Sequence, residues 1–297
     1  MISKVIPEGV AARRRHDSSG DGAAAFTLKE LLAVIAVVGV LAVLVLPALG
    51  NAKGTARQLS CLNNLRQLGV ASRMYVVEFQ QYTGSLSINP SFYYVWPDRL
   101  LRYTQMNRKL FGCPGAISSS SWDTNLNTTL GGTAPFDTSD GVKAGAFDRF
   151  GVTSTTRFSY GFNDWGLNMS SSLQLGLGGD VDGYGNRGPV RDGDVVAPDQ
   201  MIMLADVPAY ASAAAANFNA NLDPNDDTAN HCQRASNRHH YLTDILFTDG
   251  HTETPRRNDV ISPALTNPWR NRWNNDNQPH NEYVWTVNPT YSNQLDP

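Results

Sequence analysis

One nearly unbroken apolar run, from Phe26 to Leu49, constrains the fold of this 297-residue chain more than any other feature. An α-helix rises about 1.5 Å per residue, so about 20 apolar residues span the hydrocarbon core of a bilayer. The run nevertheless carries Glu30 in its first turn. A carboxylate is costly in lipid, so we expect this one to have a specific partner.

The segment ahead of the apolar run has the composition of a leader peptide. It is polar, contains the block Arg13-Arg14-Arg15 and ends in the small residues Gly22 to Ala25. A secretory signal peptide has its cleavage site after the apolar stretch, whereas these small residues precede it. We therefore expect residues 1–25 to be a cytoplasmic leader. Cleavage between Ala25 and Phe26 would leave the apolar helix on the mature protein.

From residue 25 the chain reads A-F-T-L-K-E and continues into the apolar helix. This order resembles the type IV pilin and type II secretion pseudopilin superfamily. In that family a prepilin peptidase cuts before the Phe, whose new amino terminus is methylated. The resemblance implies Ala25 and Phe26 as the cleavage site, although the family usually has Gly where this chain has Ala25. It also implies that Phe26 and Glu30 mediate assembly, because the carboxylate pairs with the amino terminus of a neighbouring subunit.

Further segments are similar to a bacterial subgroup of planctomycete and verrucomicrobial type. They are S-C-L-N-N-L-R-Q-L-G at 60–69, Cys113-Pro114 and S-Y-G-F-N at 159–163. The subgroup's C-terminal domain carries a His, nine residues and then Asp-Gly, which here are His239, Asp249 and Gly250. We interpret this signature as architectural, with Asp249-Gly250 forming a two-residue type I′ turn between strands.

The rest of the chain predicts an α+β fold. Apolar residues at spacings of three and four continue from Leu59 to Tyr75, which indicates an amphipathic extension of the first helix. We expect a membrane or filament-core helix at 26–49, the amphipathic extension at 50–82 and an extracytoplasmic globular domain at 83–297. In that domain we expect a small antiparallel β-sheet with long loops. The predicted strands are Met201–Ala205, Tyr241–Thr248 and His251–Thr254, and Trp96–Tyr103 is a predicted short helix.

Two cysteines are expected to form a disulfide. Cys61 and Cys113 would lie outside the cytoplasm, where disulfides persist. A bridge between them would stabilise the folded state by about 2–4 kcal/mol. The alternative is two buried free thiols. Cys232 would then be left over.

Two groups of polar residues raise the question of a metal. One comprises Asp206 with His231, His239, His240, Asp244, Asp249 and His251. His and Asp together can bind a divalent metal, but the spacing lacks a tight ligand motif, and a structural role is the alternative. The other contains Asp180 and Asp182 in a Gly-rich stretch, which is either a calcium loop or a solvated turn. We expect no cofactor. Calcium, bound by the stretch with Asp180 and Asp182, is the alternative.

These features predict a non-enzymatic filament subunit anchored in the inner membrane by a single pass, with its domain periplasmic or extracellular after assembly. Its expected partners are further copies of itself, other pseudopilins, the inner-membrane assembly machinery, the prepilin peptidase and membrane lipid. The net charge of −3 does not favour nucleic acid as a partner. The alternative is an anchored envelope protein with a glycan-binding or hydrolytic domain, the former suggested by the aromatic tail of Trp269, Trp273, Tyr283, Trp285 and Tyr291.

Overall fold

The structure is a computed structural model that describes residues 27–87, 93–117, 122, 152–153, 158–166, 175–178, 188–208, 220–224, 234–287 and 295–296. Several sequence predictions fall outside these residues: the leader at 1–25, the cleavage site Ala25–Phe26, the acidic pair Asp180 and Asp182, and His231, Cys232 and Tyr291. The chain divides into two compact units, one up to Gly50 and one from Asn51 to Pro297.

The first helix, α1, runs from Leu28 to Phe79 and includes Pro47. A capping box begins it: the Glu30 amide donates to Thr27 Oγ1, and the Thr27 amide donates to Glu30 Oε2 at 2.9 Å. Residues 27–53 are exposed throughout, although most of them are apolar. By length and composition this is a helix that can cross a membrane.

Beyond residue 50 the helix has two distinct faces. One face packs into the domain through Cys61, Leu65, Leu68, Ser72 and Tyr75. The predicted amphipathic extension is therefore present, and the helix ends at Phe79, three residues earlier than expected. The opposite face keeps apolar side chains in solvent: Leu59 is 62 % exposed, Val70 62 %, Met74 50 % and Val77 68 %. The apolar periodicity from Leu59 to Tyr75 therefore includes three residues that the structure leaves exposed, namely Leu59, Val70 and Met74.

Eight strands lie in the described part of the chain: β1 Leu86–Ser87, β2 Tyr93–Tyr94, β3 Val152–Thr153, β4 Tyr160–Asn163, β5 Ile202–Asp206, β6 Asn221–Leu222, β7 Ile245–Phe247 and β8 Thr252–Glu253. Five of them form the larger sheet, in the order β6-β4-β5-β7-β8. The pair β4 and β6 is parallel and the other pairs are antiparallel, so this sheet is mixed rather than wholly antiparallel. A smaller sheet pairs β1, β2 and β3 antiparallel. The α+β class is confirmed.

Short helices complete the described fold. α2 spans Trp96–Leu101 and α3 spans Arg257–Val260. α2 thus begins where the sequence predicted a helix, and a 3₁₀ turn extends it through Arg102–Thr104. Further 3₁₀ turns are Arg108–Phe111, Asp192–Asp194 and Arg270–Trp273.

Both faces of the larger sheet are covered. Along β7, Leu246 belongs to the apolar cluster that contains the buried face of α1, while Ile245 and Phe247 belong to a second cluster with Trp273 and Trp285. This follows from the alternation of side chains along a strand. Trp273 is fully buried and Trp285 is 2 % exposed, so these two tail aromatics are core residues.

The β7–β8 hairpin differs from the expected two-residue turn. The Gly250 amide donates to Phe247 O, and the Phe247 amide donates to His251 O, so the loop comprises residues 248–250. Of these residues only Gly250 has a positive φ, +97°. That is the pattern of a turn followed by a left-handed glycine rather than a type I′ turn, which needs positive φ at two positions. The Thr248 hydroxyl fixes the wider loop by donating to Pro198 O at 2.9 Å.

Candidate functional site

The S-Y-G-F-N segment at 159–163 positions both a buried polar site and the core around it. Ser159 Oγ accepts a hydrogen bond from the Cys113 amide, and the Tyr160 hydroxyl donates to Cys61 Sγ at 3.1 Å. Phe162 stacks on Trp96 with ring centroids 6.3 Å apart. The Asn163 amide group donates to Ile202 O and to Trp273 O, which ties β4 to β5 and to the tail. Each of these side chains therefore fixes a different part of the domain.

Four metal-ligating side chains converge at this buried site. Cys61, Cys113, Asp206 and His239 each offer one ligand atom, and these four atoms lie within 4.8 Å of one another. All four side chains are buried, with Cys113 6 % exposed and His239 4 % exposed. We call this set the Cys–His–Asp cluster.

Each member of the cluster comes from a different element. Cys61 projects from the buried face of α1, and Asp206 is the last residue of β5. Cys113 lies just after the 3₁₀ turn Arg108–Phe111, and His239 lies in the loop before β7. The Asn64 side chain donates to Gly112 O at 3.1 Å and so holds the Cys113 segment against α1.

Gly115 allows the Cys113 segment to close over the cluster. The Ala116 amide donates to Cys113 O, which makes a tight turn, and the Gly115 amide donates to Cys113 Sγ at 3.3 Å. A Cβ at Gly115 would lie 2.8 Å from the His239 ring. Glycine is therefore required by the close approach of this backbone to the imidazole.

The contacts inside the cluster are short. Cys113 Sγ lies 3.2 Å from His239 Nε2, and the same nitrogen lies 3.3 Å from Asp206 Oδ2. Cys61 Sγ lies 3.4 Å from Asp206 Oδ1. Asp244 is adjacent, with Oδ2 at 3.6 Å from His239 Nε2.

The electrostatics of the cluster separate its two thiols. Burial raises the pKa of Cys113, but hydrogen bonds with Cys61 and His239 outweigh it and lower that pKa to about 6. Burial and the hydrogen bond to Cys113 instead raise the pKa of Cys61 well above its usual range. Burial opposes the charge on His239, yet hydrogen bonds to Asp206 and Cys113 raise its pKa to about 10. These shifts in opposite directions favour a Cys113 thiolate paired with a His239 imidazolium.

The buried guanidinium of Arg238 lies beside the negative charge of Asp206. Arg238 is 2 % exposed at its side chain, and its Nη1 donates to Asp206 Oδ1 at 3.4 Å. Its second nitrogen donates to Val207 O. Despite burial, the hydrogen bond from His239 and the charge of Arg238 hold the pKa of Asp206 below its usual value. Asp206 is therefore an anion in the core.

The expected Cys61–Cys113 disulfide is not formed in the structure, where both residues are free thiols. Each sulfur has other partners. Cys61 Sγ contacts Asp206 and receives the Tyr160 hydroxyl, while Cys113 Sγ contacts His239 and receives the Gly115 amide. The sequence analysis placed the two cysteines and the His and Asp residues in separate groups. In the structure Cys61, Cys113, Asp206 and His239 form one site.

Among the other predicted metal candidates in the described part of the chain, Asp244 borders the cluster, whereas Asp249 and His251 lie apart from it. Asp249 pairs with His251, Oδ1 to Nδ1 at 2.6 Å, and both side chains are more than one third exposed. His239 and Asp249 therefore have different partners, although they belong to one sequence signature. Gly250 supplies the left-handed position of the hairpin.

Glu30, the predicted assembly residue, lies at the start of α1, where its carboxylate accepts from both the amide and the hydroxyl of Thr27. This capping role was not predicted from the sequence, although Thr27 and Glu30 have the spacing of a capping box. The Pro114-Gly115 pair after Cys113 is likewise a sequence signal for a tight turn. The contact between Cys113 and His239 was not predicted from it.

One groove borders the exposed face of α1. It has a volume of about 670 Å³ and is lined by Val70, Met74, Val77, Tyr103 and Gly250, among others. Its lining includes three of the four exposed apolar residues of that face.

Comparison of the chain with protein-family models, with curated proteins and with solved structures returns no match.

Proposed function

We propose that this protein is a structural subunit of a pseudopilus or type IV pilus-like filament, anchored in the membrane before assembly and related to secretion. The observation that carries the proposal is the start of α1. An F-T-L-K-E segment leads into a helix whose residues 27–53 are exposed and mostly apolar. Such a surface is unfavourable in water and needs lipid or other helices around it.

The exposed face of α1 beyond residue 50 supports assembly with further copies. Leu59, Val70, Met74 and Val77 recur at helical spacing on the side opposite the domain-facing residues. A helix that met only its own domain would place polar residues there. In the proposed filament this face packs against the helix of a second copy, and the adjoining groove receives side chains from it.

Glu30 fits the proposed assembly because of its charge. Cleavage before Phe26 creates a new ammonium group four residues ahead of this carboxylate. Each of the two charges alone is costly in lipid, but together they neutralise one another between neighbouring subunits. In the isolated chain Glu30 satisfies the helix start instead.

The other proposed features follow from this role. The leader lies in the cytoplasm, the helix crosses the inner membrane, and the domain lies on the far side. The partners are other pseudopilins, the assembly machinery, the prepilin peptidase and lipid. The protein has no catalytic role in this proposal. A thiolate beside an imidazolium also suits a nucleophile, but Cys113 is only 6 % exposed, so a substrate has little access to it.

Processing tests the proposal directly. In cells with an active prepilin peptidase, mass spectrometry of the membrane-extracted protein should find Phe26 as the amino terminus, carrying one added methyl group. Ala25→Gly should be cut at least as fast, because Gly is the smaller residue. Ala25→Lys should stay uncut, because a long charged side chain replaces a small one.

A resident pilin of the same cells serves as the control for peptidase activity. If that pilin is processed while this protein keeps Met1, the filament proposal is wrong and the helix is an ordinary membrane anchor.

A further inference from the structure

We propose that Cys61, Cys113, Asp206 and His239 bind one zinc ion that fastens α1 to the domain. The site is independent of the filament proposal, since it depends only on contacts within Asn51–Pro297. It would be a structural site, because four protein side chains fill the tetrahedral coordination that zinc prefers and leave no open position.

Three of the six pairs of ligand atoms have the spacing of a tetrahedral site. Zinc lies about 2.0–2.3 Å from N, O and S ligands, so the ligand atoms lie roughly 1.6 times that distance apart, about 3.3–3.8 Å. The Cys113–His239 contact is 3.2 Å, the His239–Asp206 contact is 3.3 Å, and the Cys61–Asp206 contacts are 3.4 and 3.6 Å. All four ligand atoms lie within 4.8 Å of one another, so a bound ion would draw the other three pairs together by at most about 1 Å.

The hydrogen bonding of the site is incomplete without an ion. Cys113 Sγ, Asp206 Oδ2 and Asp244 Oδ2 all converge on His239 Nε2 at 3.2–3.6 Å. That nitrogen carries at most one proton and can satisfy one acceptor at a time. Among the described residues, Asp244 Oδ2 is buried and has no hydrogen-bond partner. Buried polar atoms are normally satisfied, and this oxygen has only the ion pair with His239 at 3.6 Å, so a further cation beside it would be favourable.

Each of the two sulfurs receives a hydrogen bond from a group outside the ligand set. The Gly115 amide and the Tyr160 hydroxyl each donate to one of the sulfurs, at 3.3 and 3.1 Å. Donors of this kind stabilise thiolates, which are the form that binds a metal. Two thiolates, one carboxylate and a neutral imidazole around Zn²⁺ leave a net charge of −1. Arg238, buried against Asp206, supplies the compensating positive charge.

The donor set also selects the metal. Two sulfurs with one nitrogen and one oxygen in a tetrahedral arrangement suit zinc, whereas calcium and magnesium prefer oxygen ligands.

The test uses the full-length protein, purified in detergent without chelators. Elemental analysis should find one zinc per chain. After denaturation with a chelator but no reductant, all three cysteines should react with iodoacetamide. Removal of zinc and addition of Co²⁺ should produce a thiolate-to-cobalt charge-transfer band and the strong visible bands of tetrahedral cobalt. A zinc-free protein with one reactive cysteine and a Cys61–Cys113 disulfide would overturn the proposal.

Variants locate the ion. Cys113→Ser and His239→Ala should each weaken zinc binding by more than the about 10- to 100-fold that changes around a zinc site usually cost. The matched controls Asp249→Asn and His251→Ala alter an exposed His–Asp pair and should retain full zinc. Unchanged zinc affinity in Cys113→Ser, or loss of zinc in the controls, contradicts the assignment. If a ligand variant does not fold, X-ray absorption spectroscopy of the wild-type protein identifies the atoms bound to the zinc. A zinc ion that is not bound by two sulfur atoms would contradict the proposed site.

Discussion

Glu30→Gln should abolish incorporation of the protein into filaments while leaving membrane insertion intact. The change removes a negative charge from an apolar helix, which favours insertion. It also removes the partner that we propose for the amino terminus of Phe26. Glutamine keeps the capping box, because it can accept the Thr27 amide hydrogen bond as glutamate does. The measurement is the amount of the variant in sheared filaments relative to the membrane fraction.

Thr27→Ala provides the matched control. It removes the capping hydroxyl, at a cost of about 1 kcal/mol to the helix start, but keeps the carboxylate. We expect this variant to assemble. If Glu30→Gln assembles normally and Thr27→Ala does not, then Glu30 acts only as a helix cap and the proposed charge pairing is absent.

Gly161→Ala should strongly destabilise the globular domain, with a loss of about 3 kcal/mol in the free energy of unfolding, the upper end of the usual cost of overpacking. A Cβ at this position would lie 2.5 Å from Asn221 O and 2.6 Å from Val207 Cγ1. The first of these atoms is backbone of the parallel neighbour β6, so it cannot move without breaking the β4–β6 pairing. Urea denaturation followed by near-ultraviolet circular dichroism measures the loss.

Gly193→Ala is the matched control for this substitution. A Cβ there meets no atom of the described structure within 4 Å. We expect a change of less than about 0.5 kcal/mol, as for most surface substitutions. Equal stability of the two variants would mean that β4 and β6 are not packed as the structure has them.

Sequence patterns succeeded where the signal is local. The periodicity of α1, the apolar strand that ends at Asp206 and the hairpin around Gly250 each depend on neighbouring residues, and all three are present. The type I′ turn was wrong because the Thr248 hydroxyl and the Asp249 amide both donate to Pro198 O, contacts that no local pattern encodes. The parallel β4–β6 pair was missed for a similar reason, since it joins residues that are distant in the sequence, such as Phe162 and Asn221.

The Cys–His–Asp cluster could be predicted only in fragments. The Cys61–Asp206 contact joins residues 145 positions apart, and the Cys113–His239 contact joins residues 126 positions apart. From the sequence we interpret the His239-to-Asp249 signature as architectural, which names no partner for His239. In the structure His239 turns inward to the cluster, whereas Asp249 turns outward to His251. Identifying the correct partner of His239 requires the packing of α1 on the sheet.

The way α1 is held also bears on how a filament subunit would carry tension. A load passed along the helix axis reaches the domain through lateral contacts. The Gln58 side chain bonds Asp244 at 3.4 Å, Asn64 bonds Gly112 O at 3.1 Å and Arg73 bonds Asp192 at 3.0 Å. These bonds lie side by side along the helix rather than in series, so they share a shear force and must break together. The domain would therefore resist pulling along the filament better than peeling away from it.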